Sequence, residues 1–210
     1  MTINTSGRLA PTGYSPPRVS WEGFLAWREG TVQAEWVDGE IIEMAPASAV
    51  HQRLGGFLHA FLRAFIEHHG LGEILYAPFL MRLSFRPSGR EPDLLFVATM
   101  HADRVKETYL DGPADLVVEI VSPESEARDR REKFLEYELA GIPEYWLIDV
   151  PRQEALFYVL DAEGRYQPAP LSDDGIYAST VLAGLRLRVD WLWQRPLPSL
   201  DAALADLPPV

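Results

Sequence analysis

The chain contains no cysteine, which excludes structural disulfides, thiolate zinc sites and cysteine nucleophiles. It also lacks long uncharged runs and an apolar amino-terminal segment, so neither a membrane span nor an export signal is indicated. We therefore expect a cytoplasmic protein with no membrane association. Glycine-rich phosphate loops, zinc-ligand spacings, nucleophile elbows and internal repeats are missing too. Any chemistry must be inferred from other residues.

Basic residues are scarce, because 19 Lys and Arg stand against 31 Asp and Glu, for a formal charge of -12. Proteins that hold nucleic acid by bulk electrostatics are normally basic. Contacts with phosphates would therefore come from local basic groups, assisted by a metal ion that cancels an acidic cluster. The candidates for such contacts are Arg82, Arg86, Arg90, Arg128, Arg130, Arg131 and Lys133. The alternative is that the arginines form a solvated face, with salt bridges to Glu126, Asp129 and Glu132.

The length and apolar content are those of a single domain. With 210 residues and 47% hydrophobic content, the chain can bury a substantial core. Residues 1–18 contain several glycines and prolines with little periodicity, which predicts a flexible leader. We expect one domain over residues 19–195. Residues 191–210 should form a short helix and a tail that cover an apolar patch or dock on a partner, and residues 196–210 are the proline-rich tail.

Three elements are predicted in the first third of the chain. Ser20 can cap a short helix over Trp21–Arg28. Asp38-Gly39 lies between two strand-forming runs and is a strong hairpin signal. Ser48 can cap a long helix over Ala49–His68, in which apolar residues recur on one face.

Strands and turns are predicted on either side of the central region. The pattern predicts strands over Glu73–Tyr76 and Phe79–Phe85, a turn at Pro87-Ser88-Gly89, and a polar connection over residues 98–113. After residue 149 it predicts two hairpins, Ala155–Leu160 with Arg165–Gln167 and Thr180–Leu182 with Leu185–Val189.

A strand–helix–strand unit over residues 114–149 is the centre of the pattern. The apolar run Leu116–Val121 predicts a buried strand, and Glu119 interrupts it. An ionised carboxylate in such a strand is costly unless another group compensates it. The amphipathic segment Glu126–Ala140 predicts a helix, and Glu144–Asp149 predicts a second interior strand. This order favours a parallel pair of strands with a right-handed crossover.

Asp93 is the second carboxylate that stands out. Pro92 suits the first position of a strand, because proline cannot donate to the ladder. Asp93 should therefore lie at the entrance of a strand over residues 94–97, with its side chain in a cleft. If this strand is next to that of Glu119, the two carboxylates could converge on a hard divalent cation, and the Ile120 carbonyl could add a third oxygen. Metal-assisted phosphodiester cleavage requires such ligands.

Three further residues have open interpretations. Lys133 could orient the attacking water or stabilise the transition state, or it could simply pair with Glu136 or Asp129. Glu35 could share a strand face with core residues and would then need a partner. His51 falls in the first turn of the long helix, where the macrodipole favours a neutral ring that accepts a hydrogen bond or orients a water. The alternative is a partly exposed histidine bonded to the backbone.

Several of these residues belong to a longer pattern. Its members are Glu35-Trp36-Val37-Asp38-Gly39-Glu40-Ile41, Pro46, His51-Gln52, Pro78, Pro92-Asp93, Glu119-Ile120-Val121, Arg128-Asp129, Lys133, Tyr137 and Gly141-Ile142-Pro143-Glu144-Tyr145-Trp146-Leu147-Ile148-Asp149. This pattern resembles the Uma-two family of putative restriction endonucleases, a branch of the PD-(D/E)XK nuclease superfamily, over most of residues 30–190. The long match at residues 141–149 is specific, whereas the shorter motifs alone are weak.

The resemblance implies an α/β (mixed α+β) fold with a restriction-endonuclease-like core, in which helices flank a mixed central β-sheet. It implies that Asp93 and Glu119 bind magnesium, or manganese as a substitute, together with Ile120. The superfamily's usual lysine stands two residues after the second acidic residue, where this chain has Val121. The Uma-two pattern resembles a migrated version of that motif, in which Lys133 supplies the cation. The implied catalytic set is Asp93, Glu119, Lys133 and Glu35, with His51 and Gln52 as accessory residues.

The implied activity is magnesium-dependent hydrolysis of DNA phosphodiester bonds by an endonuclease. A homodimer is expected, because cutting both strands of a duplex requires two active sites. The alternative is a non-catalytic nuclease-fold module that binds nucleic acid or a protein partner, and the acidic charge lends weight to it.

Overall fold

The computed structural model describes residues 18–28, 33–85, 87–122, 125–126 and 128–207. Arg86 and nearly all of the predicted leader, residues 1–18, lie outside these ranges, as do the last three residues of the predicted tail. The division into a leader, a domain over residues 19–195 and a tail over residues 196–210 remains a prediction.

The described residues form four α-helices and three helical turns of other types. The α-helices are α1 (Trp21–Arg28), α2 (Ala49–His69), α3 (Phe134–Ala140) and α4 (Leu200–Ala205), the 3-10 helices are Thr99–Arg104 and Val189–Trp193, and a π-helical turn is formed by Arg128–Lys133. The two helices predicted near the start of the domain are confirmed. Ser48 Oγ accepts a hydrogen bond from the His51 amide at 3.2 Å at the start of α2, and Gly70 ends α2 in the left-handed conformation. The predicted helix over residues 126–140 instead begins with the π-helical turn.

The described strands form two large sheets and one separate pair. The strands are β1 (Ala34–Val37), β2 (Glu40–Glu43), β3 (Gly72–Tyr76), β4 (Leu80–Leu83), β5 (Ser88–Arg90), β6 (Leu94–Ala98), β7 (Tyr109–Asp111), β8 (Leu116–Ile120), β9 (Glu144–Asp149), β10 (Glu154–Leu160), β11 (Tyr166–Pro168), β12 (Ile176–Ala178) and β13 (Arg186–Arg188). One sheet has the order β11-β10-β9-β8-β6-β3, the other has the order β2-β1-β5-β4-β7, and β12 pairs with β13. β8 runs parallel to β9, as predicted, and β4 runs parallel to β7. The predicted α/β class with mixed sheets and flanking helices is confirmed, and the structure adds a second sheet.

The six-stranded sheet separates two apolar cores. Val117 and Val121 face the core shared with Tyr137 of α3, whereas Ile120 faces the core shared with α2. Because side chains alternate along a strand, Glu119 lies on the α3 side of the sheet. Its carboxylate is therefore buried beneath the segment that leads into α3.

The segment Glu91-Pro92-Asp93 carries the chain from one sheet to the other. β5, in the five-stranded sheet, ends at Arg90, and β6, in the six-stranded sheet, begins at Leu94. β6 lies beside β8 in antiparallel register. Asp93 thus stands at the entrance of the strand next to that of Glu119.

The predicted turn at Pro87-Ser88-Gly89 is wrong, because Ser88 and Gly89 belong to β5. β5 pairs with both β1 and β4, so it is an interior strand of its sheet. Gly89 is required there for packing, since a Cβ atom at this position would collide with the Trp21 ring. The glycine indicates a close approach between chain segments, where the sequence pattern suggests a turn.

The second predicted late hairpin is also wrong. Residues 180–182 form no strand, and β13 pairs instead with β12. The amides of Thr180 and Val181 each donate to Glu144 Oε2 at 2.9 Å, and the Ser179 and Thr180 hydroxyls donate to the same oxygen at 3.0 and 2.8 Å. A buried carboxylate on β9 thus takes the hydrogen bonds that a strand ladder would have used. The first late hairpin, β10 with β11, is confirmed.

The C-terminal segment packs on α2. Trp191 and Leu192, in the 3-10 helix, are buried, and the Trp191 ring meets Phe61 edge-on with centroids 6.0 Å apart. Ala203 of α4 joins the same core. Across the described ranges, none of the helices combines the length and the apolar content that crossing a membrane requires.

Candidate active site

A cavity of 640 Å³ opens where the two sheets meet. Six of the seven site residues predicted from the sequence line it, and they are His51, Gln52, Asp93, Glu119, Ile120 and Lys133. Glu35 is fully buried behind this lining. Four carboxylates, those of Glu91, Asp93, Glu119 and Asp129, line the cavity. Apolar residues, which include Met44, Pro46, Val50 and Pro151, line it as well.

Asp93 is fixed between two elements. Its Oδ2 accepts a hydrogen bond of 2.6 Å from the Ile120 amide at the end of β8, and its Oδ1 lies 3.1 Å from His51 Nε2 on α2. Within an extended strand, the amide and the carbonyl of one residue point to the same side. The Ile120 carbonyl is therefore directed towards the edge at which Asp93 lies.

Glu119 is buried on β8 and reaches the cavity with its carboxylate. Its Oε1 accepts hydrogen bonds from Lys133 Nζ at 2.9 Å and from the Tyr137 hydroxyl at 2.7 Å. Among the described residues, its Oε2 has no hydrogen-bond donor. One oxygen of Glu119 is thus held in place and the other is left for a ligand.

Lys133 joins three carboxylates. Its Nζ lies 2.9 Å from Glu119 Oε1, 2.9 Å from Glu35 Oε1 and 3.3 Å from Asp129 Oδ1. Burial lowers the pKa of Lys133, but these three carboxylates raise it well above its ordinary value. The side chain is therefore a buried ammonium ion. The predicted pairing with Asp129 occurs together with the predicted approach to Glu119.

Glu35 is committed to ion pairs through both oxygens. Oε1 faces Lys133, and Oε2 accepts a hydrogen bond of 2.7 Å from Arg90 Nη1. Burial raises the pKa of Glu35, but Lys133 and Arg90 together lower it to about 2. Arg90 is itself fully buried and donates two more hydrogen bonds, of 2.7 and 2.6 Å, to Glu136 on α3. Glu35 thus contacts Lys133 but is not brought to the cavity lining.

Glu119 is the least compensated member of this cluster. Burial raises the pKa of Glu119 to about 8, even though Lys133 opposes the rise, and Asp129 and Asp93 add repulsion. Lys133 compensates this burial only in part, because its one ammonium is shared among three carboxylates. Additional positive charge in the cavity would therefore be favourable.

The expectation of a neutral His51 ring is wrong in direction. Burial lowers the pKa of His51, but the hydrogen bond to Asp93 and the charge of Asp93 raise it above its ordinary value, with a further contribution from the Ile120 backbone. The adjacent carboxylate outweighs the dipole of α2. The same carboxylate and backbone oxygen that raise the pKa of His51 would also favour any other cation in this corner of the cavity.

The structure assigns roles that the sequence reasoning did not. Arg90, expected as a phosphate contact, is instead fully buried in the charge cluster together with Asp129, and Tyr137 donates to Glu119. The Arg28 side chain, which the sequence pattern did not single out, forms an ion pair with Glu91 of the crossing segment. The position of Arg90 directly before Glu91-Pro92-Asp93 is the local signal for its place in the site.

For several of the other basic residues, the salt-bridge interpretation is the correct one. Arg130 Nη2 lies 2.7 Å from Asp149 Oδ2 and 2.6 Å from Glu154 Oε2. Arg82 lies 3.6 Å from Asp111, and Arg128 lies 3.7 Å from Glu35. Arg130 also lies 3.7 Å from Glu126, one of the expected partners, whereas Asp149, Glu154 and Asp111 are further partners that the strands bring close.

A hard divalent cation fits the donors of this cavity. Asp93, Glu119 and the Ile120 carbonyl offer oxygen atoms, and the pKa of Glu119 is raised by burial that Lys133 offsets only in part. Magnesium-like ions bind through one or two carboxylates and keep several waters. Within the described ranges, no group of three or more His, Asp or Glu side chains is arranged to hold a metal ion. The two carboxylates would therefore need the Ile120 carbonyl and waters as further ligands.

Comparisons with known proteins identify the family and the fold. The Uma2 family model, described as a putative restriction endonuclease, matches residues 21–190. A crystal structure of a putative nuclease belonging to DUF820 from Anabaena variabilis is similar with a TM-score of 0.70 and 16% identity, over 82% of this chain and 96% of that chain. At this identity the similarity shows the fold. None of the curated proteins matches. Because the family match spans most of its length, this chain belongs to the Uma2 family of putative restriction endonucleases.

Proposed function

We propose that this protein is a magnesium-dependent endonuclease that hydrolyses phosphodiester bonds in DNA, with manganese able to replace magnesium. The observation that carries the proposal is the meeting of Asp93 and Glu119, from neighbouring strands, in one cavity with Lys133 Nζ 2.9 Å from the Glu119 carboxylate. Membership of a restriction endonuclease family supports hydrolysis of DNA in particular.

Asp93, Glu119 and the Ile120 carbonyl would hold the ion. When bound, magnesium supplies Lewis acidity to the phosphate and lowers the pKa of a bound water. The Ile120 amide and His51 position Asp93, and Tyr137 positions Glu119. These contacts keep both carboxylates in place before substrate arrives, which lowers the reorganisation that catalysis needs.

Lys133 would act beside the metal ligands as a hydrogen-bond donor. Because the surrounding carboxylates raise its pKa, the ammonium does not accept the proton of the attacking water. It can orient that water or stabilise the charge that develops on the phosphorus oxygens. Glu35 and Arg90 hold Lys133 in position, so we assign Glu35 a positioning role. Gln52, which lines the cavity, would contribute an amide to substrate contacts.

Plasmid cleavage tests the proposal. The wild-type chain should relax or linearise supercoiled DNA with magnesium or manganese and should be inactive in EDTA. Asp93→Asn and Glu119→Gln should each lower the rate by at least about a hundredfold, since even indirect metal contacts contribute 10–100-fold. Glu73→Gln is the matched control, because Glu73 is an exposed carboxylate on β3 of the same sheet.

Two outcomes would count against catalysis. Absence of cleavage under all metal conditions, together with no divalent-ion binding that depends on Asp93 and Glu119, would favour the non-catalytic module. Equal activity of the Asp93→Asn and Glu73→Gln variants would remove Asp93 from the site.

We also propose a homodimer, because cutting a duplex requires two such cavities. Sedimentation of the active protein tests that part separately.

A further inference from the structure

Arg195 lines the cavity from a segment that the family match does not include. The match ends at residue 190, whereas Arg195 follows the 3-10 helix Val189–Trp193 and is part of the cavity lining. It is an exposed side chain, so it can meet a ligand that enters the cavity. Neither the sequence pattern nor the family resemblance pointed to this residue.

The guanidinium of Arg195 is held by its own segment. Nη1 donates to the Gln194 carbonyl at 2.6 Å and to the Leu192 carbonyl at 3.4 Å. The segment is anchored because Trp191 and Leu192 are buried against α2. Nε and Nη2 have no hydrogen-bond or ion-pair partner among the described residues. A fixed guanidinium with free donors is suited to an incoming anion, since less side-chain freedom is lost on binding.

Charge balance distinguishes Arg195 from the other cations of the cavity. Lys133 is surrounded by carboxylates, and His51 contacts Asp93. In the part of the chain that the structure describes, Arg195 is the lining cation that has no carboxylate partner. The chain carries a formal charge of -12, so an arginine left without such a partner beside an acidic cavity is informative.

We propose that Arg195 binds a phosphate next to the scissile one, which makes the substrate a strand with at least two consecutive phosphates. The inference rests on the proposed nuclease function. A guanidinium binds phosphate oxygens through paired, charge-assisted hydrogen bonds. The acidic lining repels a polyanion unless a metal ion is bound, whereas Arg195 attracts the flanking phosphate directly. The apolar lining residues Pro46 and Val50 would accommodate the sugar or base between the two phosphates.

Salt-dependent binding tests this role. The probe is a fluorescein-labelled single-stranded oligonucleotide, followed by anisotropy with calcium over about 50 to 300 mM NaCl. Arg195→Gln should bind about tenfold or more weakly. It should also reduce the slope of log affinity against log salt by about 0.7, the value for one phosphate contact on a single strand. Arg195→Lys should retain the slope. Arg186→Gln, at an exposed arginine of β13 outside the cavity, is the matched control.

Cleavage kinetics and unfolding separate the possible failures. Arg195→Gln should raise KM while kcat and the unfolding midpoint stay near those of the wild type. If Arg195→Gln and Arg186→Gln have equal affinities and slopes while the wild type cleaves DNA, the role of Arg195 is refuted and the nuclease proposal stands. If the wild type neither binds nor cleaves DNA, both proposals are refuted. A lower unfolding midpoint with an unchanged salt slope would mean that Arg195 is structural and would also refute the inference.

Discussion

Replacing Arg90 with methionine should strongly destabilise the protein. Arg90 is fully buried and is held by Glu35 at 2.7 Å and by Glu136 at 2.6 and 2.7 Å. It joins β5 to β1 through one carboxylate and to α3 through the other. Methionine retains much of the apolar stem but removes the charge, so both carboxylates lose a buried counter-ion.

The size of the effect follows from the burial of the ion pairs. Removing one partner of a buried pair costs roughly 3–5 kcal/mol, because a charge is left buried without compensation. Glu35 retains Lys133, whereas Glu136 loses its two hydrogen bonds to Arg90. For a chain of this length, about 3–5 kcal/mol corresponds to a fall in Tm of about 6–20 °C.

Urea unfolding in EDTA, followed by circular dichroism, measures this loss. Arg165→Met is the matched control, because the Arg165 side chain is 65% exposed and its pair with Glu138 should contribute less than about 1 kcal/mol. Adding Glu136→Gln to Arg90→Met should restore part of the lost stability. An Arg90→Met variant that is as stable as Arg165→Met would refute the assignment of Arg90 as the buried counter-ion of the site.

One titration and one pair of substitutions test the surroundings of the site. Burial raises the pKa of Glu35, but Lys133 and Arg90 lower it to about 2, so its stabilisation should be complete above a pH of about 4.5 and lost as the pH falls towards 2. At about 1.4 kcal/mol per unit of pKa, this loss is about 3 kcal/mol. The free energy of unfolding of Glu35→Gln, measured over the same pH range, should not show this pH-dependent loss. Gly89→Ala should lower the free energy of unfolding by about 1–3 kcal/mol, because its Cβ would collide with Trp21. Gly56→Ala on α2, where no described atom would lie within 4 Å of the new Cβ, should raise it by up to about 1 kcal/mol. Equal effects of the two glycine substitutions would contradict the packing argument.

Local signals in the sequence account for most of the elements. Ser48 and Gly70 mark the ends of α2, and Asp38-Gly39 marks the first hairpin, because capping and turn chemistry depend on neighbouring residues. Such signals fail where a distant group changes the local preference. Gly89 belongs to a strand because Trp21 packs on it, and Thr180 leaves its predicted strand because Glu144 accepts its amide.

In the candidate site, too, local signals can be read from the sequence and contacts between distant residues cannot. Asp93 and Glu119 could be singled out because each carboxylate stands in an apolar strand pattern. The buried counter-ion of Glu35 and Glu136 could not be identified, because Arg90 meets Glu35 across 55 positions of the chain and Glu136 across 46. The contact of His51 with Asp93 and the cavity position of Arg195 likewise depend on how α2 and the C-terminal segment pack on the sheets. No periodicity encodes these contacts.

A crystal soaked in manganese tests the central claim most directly, because anomalous scattering locates the ion without relying on activity. The account predicts one strong peak in the cavity, coordinated by Asp93, Glu119 and the Ile120 carbonyl, and its absence from crystals of Asp93→Asn. A saturating soak that leaves these three groups without a peak, or that gives peaks only elsewhere on the molecule, would contradict it.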